Sequence, residues 1–483
     1  MKRRGFSPTT RTYHTMFNGL SRITDWSTHA KQLNNAHALY ESFRRHLTSL
    51  EKHSPDSKQL DVTPLTAYFN ILGSARLHDK MFEIYYTLPK EGPLAPDQFL
   101  YAVMFKALAP PKEHDNISVA ALRQQASTAK LLWSFVTKAS EKSGFHIDSH
   151  VVTGAIHAMS YGRAPDQEFA LKLASDYFDL AFLEAPVCLP SPVRQRTLPL
   201  ERQPLQVILE LCRACRRYKD SMGIMSQALN KGLTMDRLHL EEVLKSHLEL
   251  SAKDSSTAGE TVKLFNNLLQ KASKSSNGFY PPRSAYLIGL SVCWKSADWM
   301  AARQIFQFLT GYSTHSFVDG ANSGREPKWS RDVNQRAVAP DAETISLMLR
   351  IALASNNTAY MREAERLAHY MSRAHRLLRV ESRKAGGKED RFYPVKLAQA
   401  IVETGEKLLG NMGKNAVEDE VRKWQSFMTE ARGFLQQVGE ESVASYRKPT
   451  AGRKGRSRSR SSEDVIPERE ATSTAYEKSL LLS

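Results

Sequence analysis

Ser7-Pro-Thr-Thr-Arg-Thr-Tyr13-His-Thr-Met-Phe-Asn-Gly-Leu20 is the stretch whose reading decides the fold. Tyr13, Met16, Phe17 and Leu20 fall at the 0, 3, 4, 7 spacing of one face of an α-helix. Pro8 and Thr9 in front of them supply a stop and an N-cap. One such stretch is only an amphipathic helix; its recurrence decides the architecture. Working outward, the same face returns at Tyr68, Ile71, Leu72, Ala75; at Tyr101, Met104, Phe105, Leu108; and at Val152, Ala155, Ile156, Met159. It returns again at Leu205, Ile208, Leu209, Cys212; at Leu240, Val243, Leu244, His247; at Tyr286, Gly289, Leu290, Cys293; and at Ile345, Met348, Leu349, Ala352.

Most of these helices open after a short turn built alike. Gly5-Phe-Ser-Pro-Thr9, Gly144-Phe-His-Ile-Asp148, Gly232-Leu-Thr-Met-Asp236 and Gly278-Phe-Tyr-Pro-Pro282 are four instances, and Gly92-Pro-Leu-Ala-Pro-Asp97 is a longer one. Glycine after a helix predicts a left-handed cap, and Pro or Asp before the next predicts its start. A second helix follows each first, with a small residue three before Leu or Ile and then an aromatic: Ala36 to Leu39-Tyr40, Ala129 to Leu132-Trp133, Ala302 to Ile305-Phe306. Met81 to Ile84-Tyr85, Thr261 to Leu264-Phe265, Ala170 to Leu173 and Ala364 to Leu367 keep the spacing more loosely. Small residues let paired helices approach, and the aromatic fills the gap to the neighbouring pair.

Pro64 and Asp97 lie 33 residues apart, and Glu201 and Asp236 lie 35 apart, which sets the underlying period. Extra residues sit in polar or Pro-rich stretches (48–60, 109–120, 184–202 and 311–338), as surface insertions in a repeat array do. The predicted fold is all-α: a right-handed α-solenoid of about eight helix-turn-helix repeats with long insertions between helices and a C-terminal helical cap. Its segments are a repeat array over 1–380, capping helices over 381–440, read as 391–410 and 415–438, and a basic disordered tail over 441–483.

Composition narrows the function class. Of 483 residues, 41% are hydrophobic and 24% charged, which suits a folded chain. Lys and Arg number 67 against 51 Asp and Glu, a formal +16 that favours a polyanionic partner. No run approaches the roughly 18 consecutive apolar residues that span a bilayer. Cys188, Cys212, Cys215 and Cys293 are too few for a disulfide framework. Cys212-Arg-Ala-Cys215 has the spacing of half a zinc site, but it lies in a predicted first helix with no second Cys or His pair nearby in sequence. There is no His-Glu-x-x-His and no Gly-x-x-x-x-Gly-Lys phosphate loop, so neither a nuclease nor an NTPase is predicted, and no catalytic residue, metal or cofactor is expected.

The units resemble the pentatricopeptide repeat family, whose repeats end in Gly-x-x-Pro-Asp and reopen with Thr-Tyr before an amphipathic helix. The opening stretch is the nearest match; Ala95-Pro-Asp-Gln-Phe-Leu-Tyr101 and Ala339-Pro-Asp-Ala-Glu-Thr-Ile345 are similar, and the likeness covers residues 1–380. Tetratricopeptide repeats share the period but not the residues, since their first-helix Trp and Leu-Gly are absent. The resemblance implies single-stranded RNA as partner, with base-facing residues after each helix-opening Tyr position and at the end of each unit. The first set is His14, Phe69, Ala102, Thr153, Gln206, Glu241, Leu287 and Ser346; the second is Pro64, Asp97, Asp148, Glu201, Asp236, Pro282 and Asp341. From these, His14, Phe69, Asp97, Ala102, Asp148, Thr153, Gln206, Asp236, Glu241, Asp341 and Ser346 are the candidate RNA contacts. For the aspartates an N-cap role competes with base contact, and for Phe69 packing competes with base stacking.

The resemblance, closest to irregular fungal members, also implies a monomer in the mitochondrial matrix. The implied work is maturation of small-subunit ribosomal RNA, or stability or translation of organellar transcripts, with the small ribosomal subunit as a further partner. Residues 1–24 carry Lys2, Arg3, Arg4, Arg11 and Arg22 and no acid, as a transit peptide would. Met1–Pro8 also looks like the end of a preceding repeat. The other class is a protein-binding helical scaffold, which a less basic groove would favour.

Overall fold

The computed structural model describes residues 8–53, 57, 59–110, 117–143, 145–183, 197–274, 278–318, 327, 329–331, 334–378, 391–411 and 418–446. The tail prediction beyond residue 446, the turns at Gly5 and Gly144, and the stretch around Cys188 lie outside them.

The described chain forms eight helix pairs. They are α1 (Thr10–Leu20) with α2 (Ala30–His53), α3 (Thr63–Ser74) with α4 (His78–Thr87), α5 (Gln98–Leu108) with α6 (Val119–Ser143), and α7 (Ser149–Met159) with α8 (Ala164–Phe178). Then come α9 (Arg202–Ala214) with α10 (Tyr218–Asn230), α11 (Arg237–Leu250) with α12 (Thr257–Lys274), α13 (Arg283–Lys295) with α14 (Trp299–Thr310), and α15 (Ala342–Ser355) with α16 (Thr358–Ala374). α17 (Phe392–Asn411) and α18 (Glu418–Tyr446) follow. The all-α array of about eight helix-turn-helix units is thus as predicted. Stretches read as insertions or tail are partly helix: α2 runs on to His53, α6 begins at Val119, Thr314–Phe317 is a 3-10 helix, and residues 441–446 belong to α18. Contacts divide the chain inside α18, into Met1–Arg432 and Gly433–Ser483.

Each first helix starts where the turn chemistry demands. Asp97, Asp148, Asp236 and Asp341 accept from the backbone N–H three residues on at 2.8, 2.9, 3.0 and 3.0 Å, which satisfies a donor the helix itself leaves open. Thr9 and Thr12 form a capping box at α1. Pro64 is the exception among the anchors: α3 begins one residue earlier, and Pro64 is buried within its first turn. There Asp61 accepts from the N–H and hydroxyl of Thr63.

The turns inside the units were not foreseen. Arg76, Arg216, Ala297 and Asn356 all have φ between 52° and 59°. At three of these turns the next N–H closes a six-residue loop back to the first helix, Leu77 to Leu72, Arg217 to Cys212 and Asp298 to Cys293, at 2.8–3.0 Å. The same backbone turn therefore recurs with non-glycine residues. At the turns between units, Gly92 and Gly232 do take positive φ. Gly278 does not; a Cβ there would meet the Ala272 backbone at 2.4 Å, so space and not chirality selects glycine.

Packing follows the face read from sequence at the anchor positions, while Met16, read onto the same face, is 50% exposed. Tyr13, Tyr68, Tyr101, Val152, Leu205, Leu240, Tyr286 and Ile345 are all buried, as are the small residues Ala36, Ala129, Ala170, Ala302 and Ala364 of the second helices. Every first helix touches the next, from α1 to α15, and α17 continues the row against α15. The second-helix aromatic of one unit meets the first-helix Tyr of the next: Tyr40 stacks on Tyr68 and Phe265 on Tyr286, each pair at 4.7 Å between centroids. α18 closes this end, its Phe427 against His369 of α16 and its Met428 against Gly405 of α17.

The described parts of the 311–338 stretch are held down. Asn334 Nδ2 donates to the Phe308 carbonyl at 2.7 Å, the Val338 N–H to Leu309 at 2.9 Å, and Tyr312 pairs with Trp329.

Two expected outcomes test these features. A left-handed turn costs an L-residue about 1 kcal/mol, so Ala297→Gly is expected to stabilise the α13–α14 turn by that amount, read by hydrogen exchange. Glu365 in α16 is fully buried, neither of its oxygens has a hydrogen-bond partner, and burial pushes its carboxyl up to about 8. The folded state holds the neutral form while the unfolded chain ionises from its usual 4.5, so stability is lost as pH rises through that window. Glu365→Gln is therefore expected to raise stability by roughly 2–4 kcal/mol at pH 8 and little near pH 4.5, read by chemical denaturation.

Candidate functional site

One register position per unit can face outward from the row of first helices: the residue just after the buried Tyr or aliphatic anchor. A step of one residue turns this side chain out of the core stripe toward the neighbouring first helix. His14, Ala102, Gln206, Glu241 and Leu287 are half-buried there. Phe69, Thr153 and Ser346 are at most 4% exposed and are packing residues, which corrects their assignment as base contacts. The cause at the first two is close helix approach. A Cβ on Gly73, one turn beyond Phe69, would lie 2.5 Å from that of Ala107; one on Gly154, next to Thr153, would lie 3.0 Å from that of Phe105. The Thr153 hydroxyl is spent on the Ser149 carbonyl at 2.6 Å.

The four unit-ending aspartates act as N-caps in this structure. Burial raises the Asp97 carboxyl in spite of its hydrogen bond from Leu100. Asp341 turns its second oxygen to Arg283 at 2.6 Å, and Glu343 accepts from the same guanidinium.

Arg283 is one rung of a polar ladder that links consecutive first helices over the second half of the array. His157 of α7 lies 3.9 Å from Glu210 of α9, which also accepts from Gln206 at 2.8 Å. Arg213 of α9 donates to Glu242 of α11 at 2.8 Å, and Lys245 meets the other Glu242 oxygen at 2.6 Å. Glu241 takes Arg237 at 2.8 Å and the Ser284 hydroxyl of α13 at 3.1 Å. Burial alone would raise the Glu242 carboxyl, but Arg213 and Lys245 outweigh it and hold the group below the usual carboxylate range. Removing one partner would leave a buried charge uncompensated.

This ladder was invisible to the sequence reading, because its partners lie a whole unit apart in the chain. Among the described residues the first three units contribute no comparable rung; Tyr68, Phe69, Tyr101 and Phe105 dominate the first helices α3 and α5, all buried.

Other candidate chemistry does not assemble. Cys212 is fully buried and burial pushes its thiol up; Cys215 is pushed up to about 12, so both stay protonated. Among the described residues no group of three or more His, Cys, Asp or Glu is placed to hold a metal ion. Among them too, no helix is long and apolar enough to cross a membrane.

No protein-family profile and no curated protein matches the sequence. Among solved structures the chain is similar to the crystal structure of the pentatricopeptide repeat protein PPR10 from maize, at 12% identity and a TM-score of 0.31. The match covers 92% of this chain and 59% of that one, so this chain spans less than two thirds of its length.

The capping role of the aspartates is open to a direct check. Asp148→Ala is expected to destabilise α7 by about 1 kcal/mol, whereas Asp148→Asn keeps an acceptor and stays within a few tenths of the parent. Hydrogen exchange at the α7 amides reads the difference.

Proposed function

We propose that the chain binds single-stranded RNA along its row of first helices. The observation that carries this reading is the uninterrupted row itself, with a partly open register position in five of the eight units, at His14, Ala102, Gln206, Glu241 and Leu287. An extended row of repeats suits a chain-like ligand. Unstacked bases would set their edges against the polar members, while basic side chains neutralise phosphates. The formal charge of +16 and the sequence resemblance to pentatricopeptide repeats support the same ligand.

The reading extends to the mitochondrial matrix and to small-subunit ribosomal RNA maturation, or to the stability or translation of organellar transcripts. Its support there is the fungal resemblance. A monomer, acting alone or on the small ribosomal subunit, is the corresponding assembly, and the row itself calls for no catalytic step.

A second reading, a protein-binding scaffold, draws on the ladder, in which Arg213, Lys245, Arg237 and Arg283 are each matched by a carboxylate.

Titration of the full chain with labelled single-stranded RNA at several salt concentrations separates the two. RNA binding is expected to weaken linearly in log–log form as salt rises. Glu210→Gln, which removes one carboxylate from the row, is expected to tighten binding about threefold to tenfold at low salt and to steepen the slope by about one. No RNA binding, together with recovery of a specific protein partner, would favour the scaffold.

A further inference from the structure

The second helices leave a cleft that the row of first helices does not use. It lies between α10 and α12 and has a volume of about 460 Å3, inside the roughly 300–1,000 Å3 range of ligand sites. Met222 and Met225 of α10 face Leu264 and Leu268 of α12 across it. α11 packs against both helices and supplies Val243 and His247. His247 is buried with its Nδ1 2.7 Å from the Thr261 hydroxyl, and burial holds the imidazole down to about 4, so this part of the lining is uncharged at neutral pH.

The rim has a sign. Lys263, Lys271 and Lys274 are exposed and share one face of α12, eight and eleven residues apart from the first, against the single acid Glu260. Among the described residues none of the three lysines pairs with a carboxylate, in contrast to the basic residues of the ladder.

We propose that this cleft is a docking groove for an amphipathic helix of a partner protein, apolar on one face and acidic on its flank. Apolar side chains at i, i+3 or i+4, and i+7 would enter between the methionine and leucine walls, and carboxylates would meet the lysines. The lining runs from Met222 to Leu229 on α10 and from Glu260 to Lys274 on α12, so the groove is walled for about two helical turns on one side and four on the other. The thioether walls can adapt to differing apolar anchors. No Phe, Tyr or Trp lines the cleft and the His247 imidazole is buried, so it offers single-stranded nucleic acid nothing to stack on. The lysine excess selects acid over base on the incoming flank.

The test uses the full chain with methyl-labelled methionine and two synthetic helical peptides of about four turns. Both carry leucine at the i, i+3, i+4, i+7 positions; one has glutamate and the other lysine on the remaining face. The glutamate peptide is expected to shift the Met222 and Met225 methyl resonances saturably, and the lysine peptide to bind at least about tenfold more weakly. Combined Lys263→Glu, Lys271→Glu and Lys274→Glu, all at exposed sites, is expected to reverse that preference with the helical circular dichroism unchanged. Leu264→Glu is expected to abolish both titrations while leaving RNA binding intact. The proposal is overturned if neither peptide moves these methyls, if the two bind alike, if charge reversal leaves the preference as it was, or if single-stranded RNA displaces the glutamate peptide from the cleft.

Discussion

The array depends on one contact, repeated: the anchor side chain of each first helix, four residues after the N-cap in every unit but the second, where α3 starts earlier and Tyr68 is six after it, buried in the core of the array. Tyr68 on Tyr40 and Tyr286 on Phe265 are its stacked forms, and Tyr101 with Tyr85 at 6.0 Å is its edge form. Such pairs add about 0.5–1.5 kcal/mol beyond the area they bury. A single unit cannot cover its own apolar face, so each contact stabilises two units at once. The N-cap in front of the helix fixes where the ring falls on it, and the small residue in the second helix lets that helix come close enough to receive it. Cap, ring and small residue form one device, which is why they recur together.

That device is also what made the fold legible. Tyr13, Tyr68, Tyr101 and Tyr286 with their i+4 partners mark the buried face without any knowledge of neighbours, and Asp97, Asp148, Asp236 and Asp341 mark the starts. These signals are local, within one helical turn. What escaped is non-local or is written in the backbone. Arg76, Arg216 and Ala297 sit in left-handed turns that glycine would signal and they do not, because the helix ends around them are fixed by packing on both sides. The burial of Phe69 and Thr153 depends on how closely the next first helix approaches, a distance set by Gly73 over Ala107 and by Gly154 over Phe105. The Arg213–Glu242 pair joins residues 29 apart, and Arg283–Glu343 joins residues 60 apart. No pattern within a helix reports either pair. The cleft between α10 and α12 escaped for the same reason: its two walls are separate helices, each of which reads in sequence as an ordinary amphipathic one.

The distribution of charge then divides the molecule by role. Over the second half of the row, basic groups are consumed between units, Arg213 on Glu242 and Arg283 on Asp341 and Glu343, or within α11, Lys245 on Glu242 and Arg237 on Glu241. Partly buried pairs of this kind cost desolvation and return it through hydrogen bonds, so their main effect is to fix the register of one first helix on the next. A row whose cations are so engaged supplies geometry more than attraction. Much of the chain's positive excess is carried elsewhere in the sequence, including Lys2, Arg3 and Arg4 and the seven basic residues of 447–460.

Affinity for a polyanion comes chiefly from phosphate contacts, and discrimination from the surface that meets the bases. A half-neutralised row bearing Gln206 and Glu241 therefore suits the second task better than the first. The unpaired lysines of α12 cannot serve the row, since they stand on a second helix above an apolar cleft without Phe, Tyr or Trp. A cation kept free beside methionine and leucine matches a ligand that brings both carboxylates and an apolar face, which an acidic amphipathic helix does and a nucleic-acid strand does not.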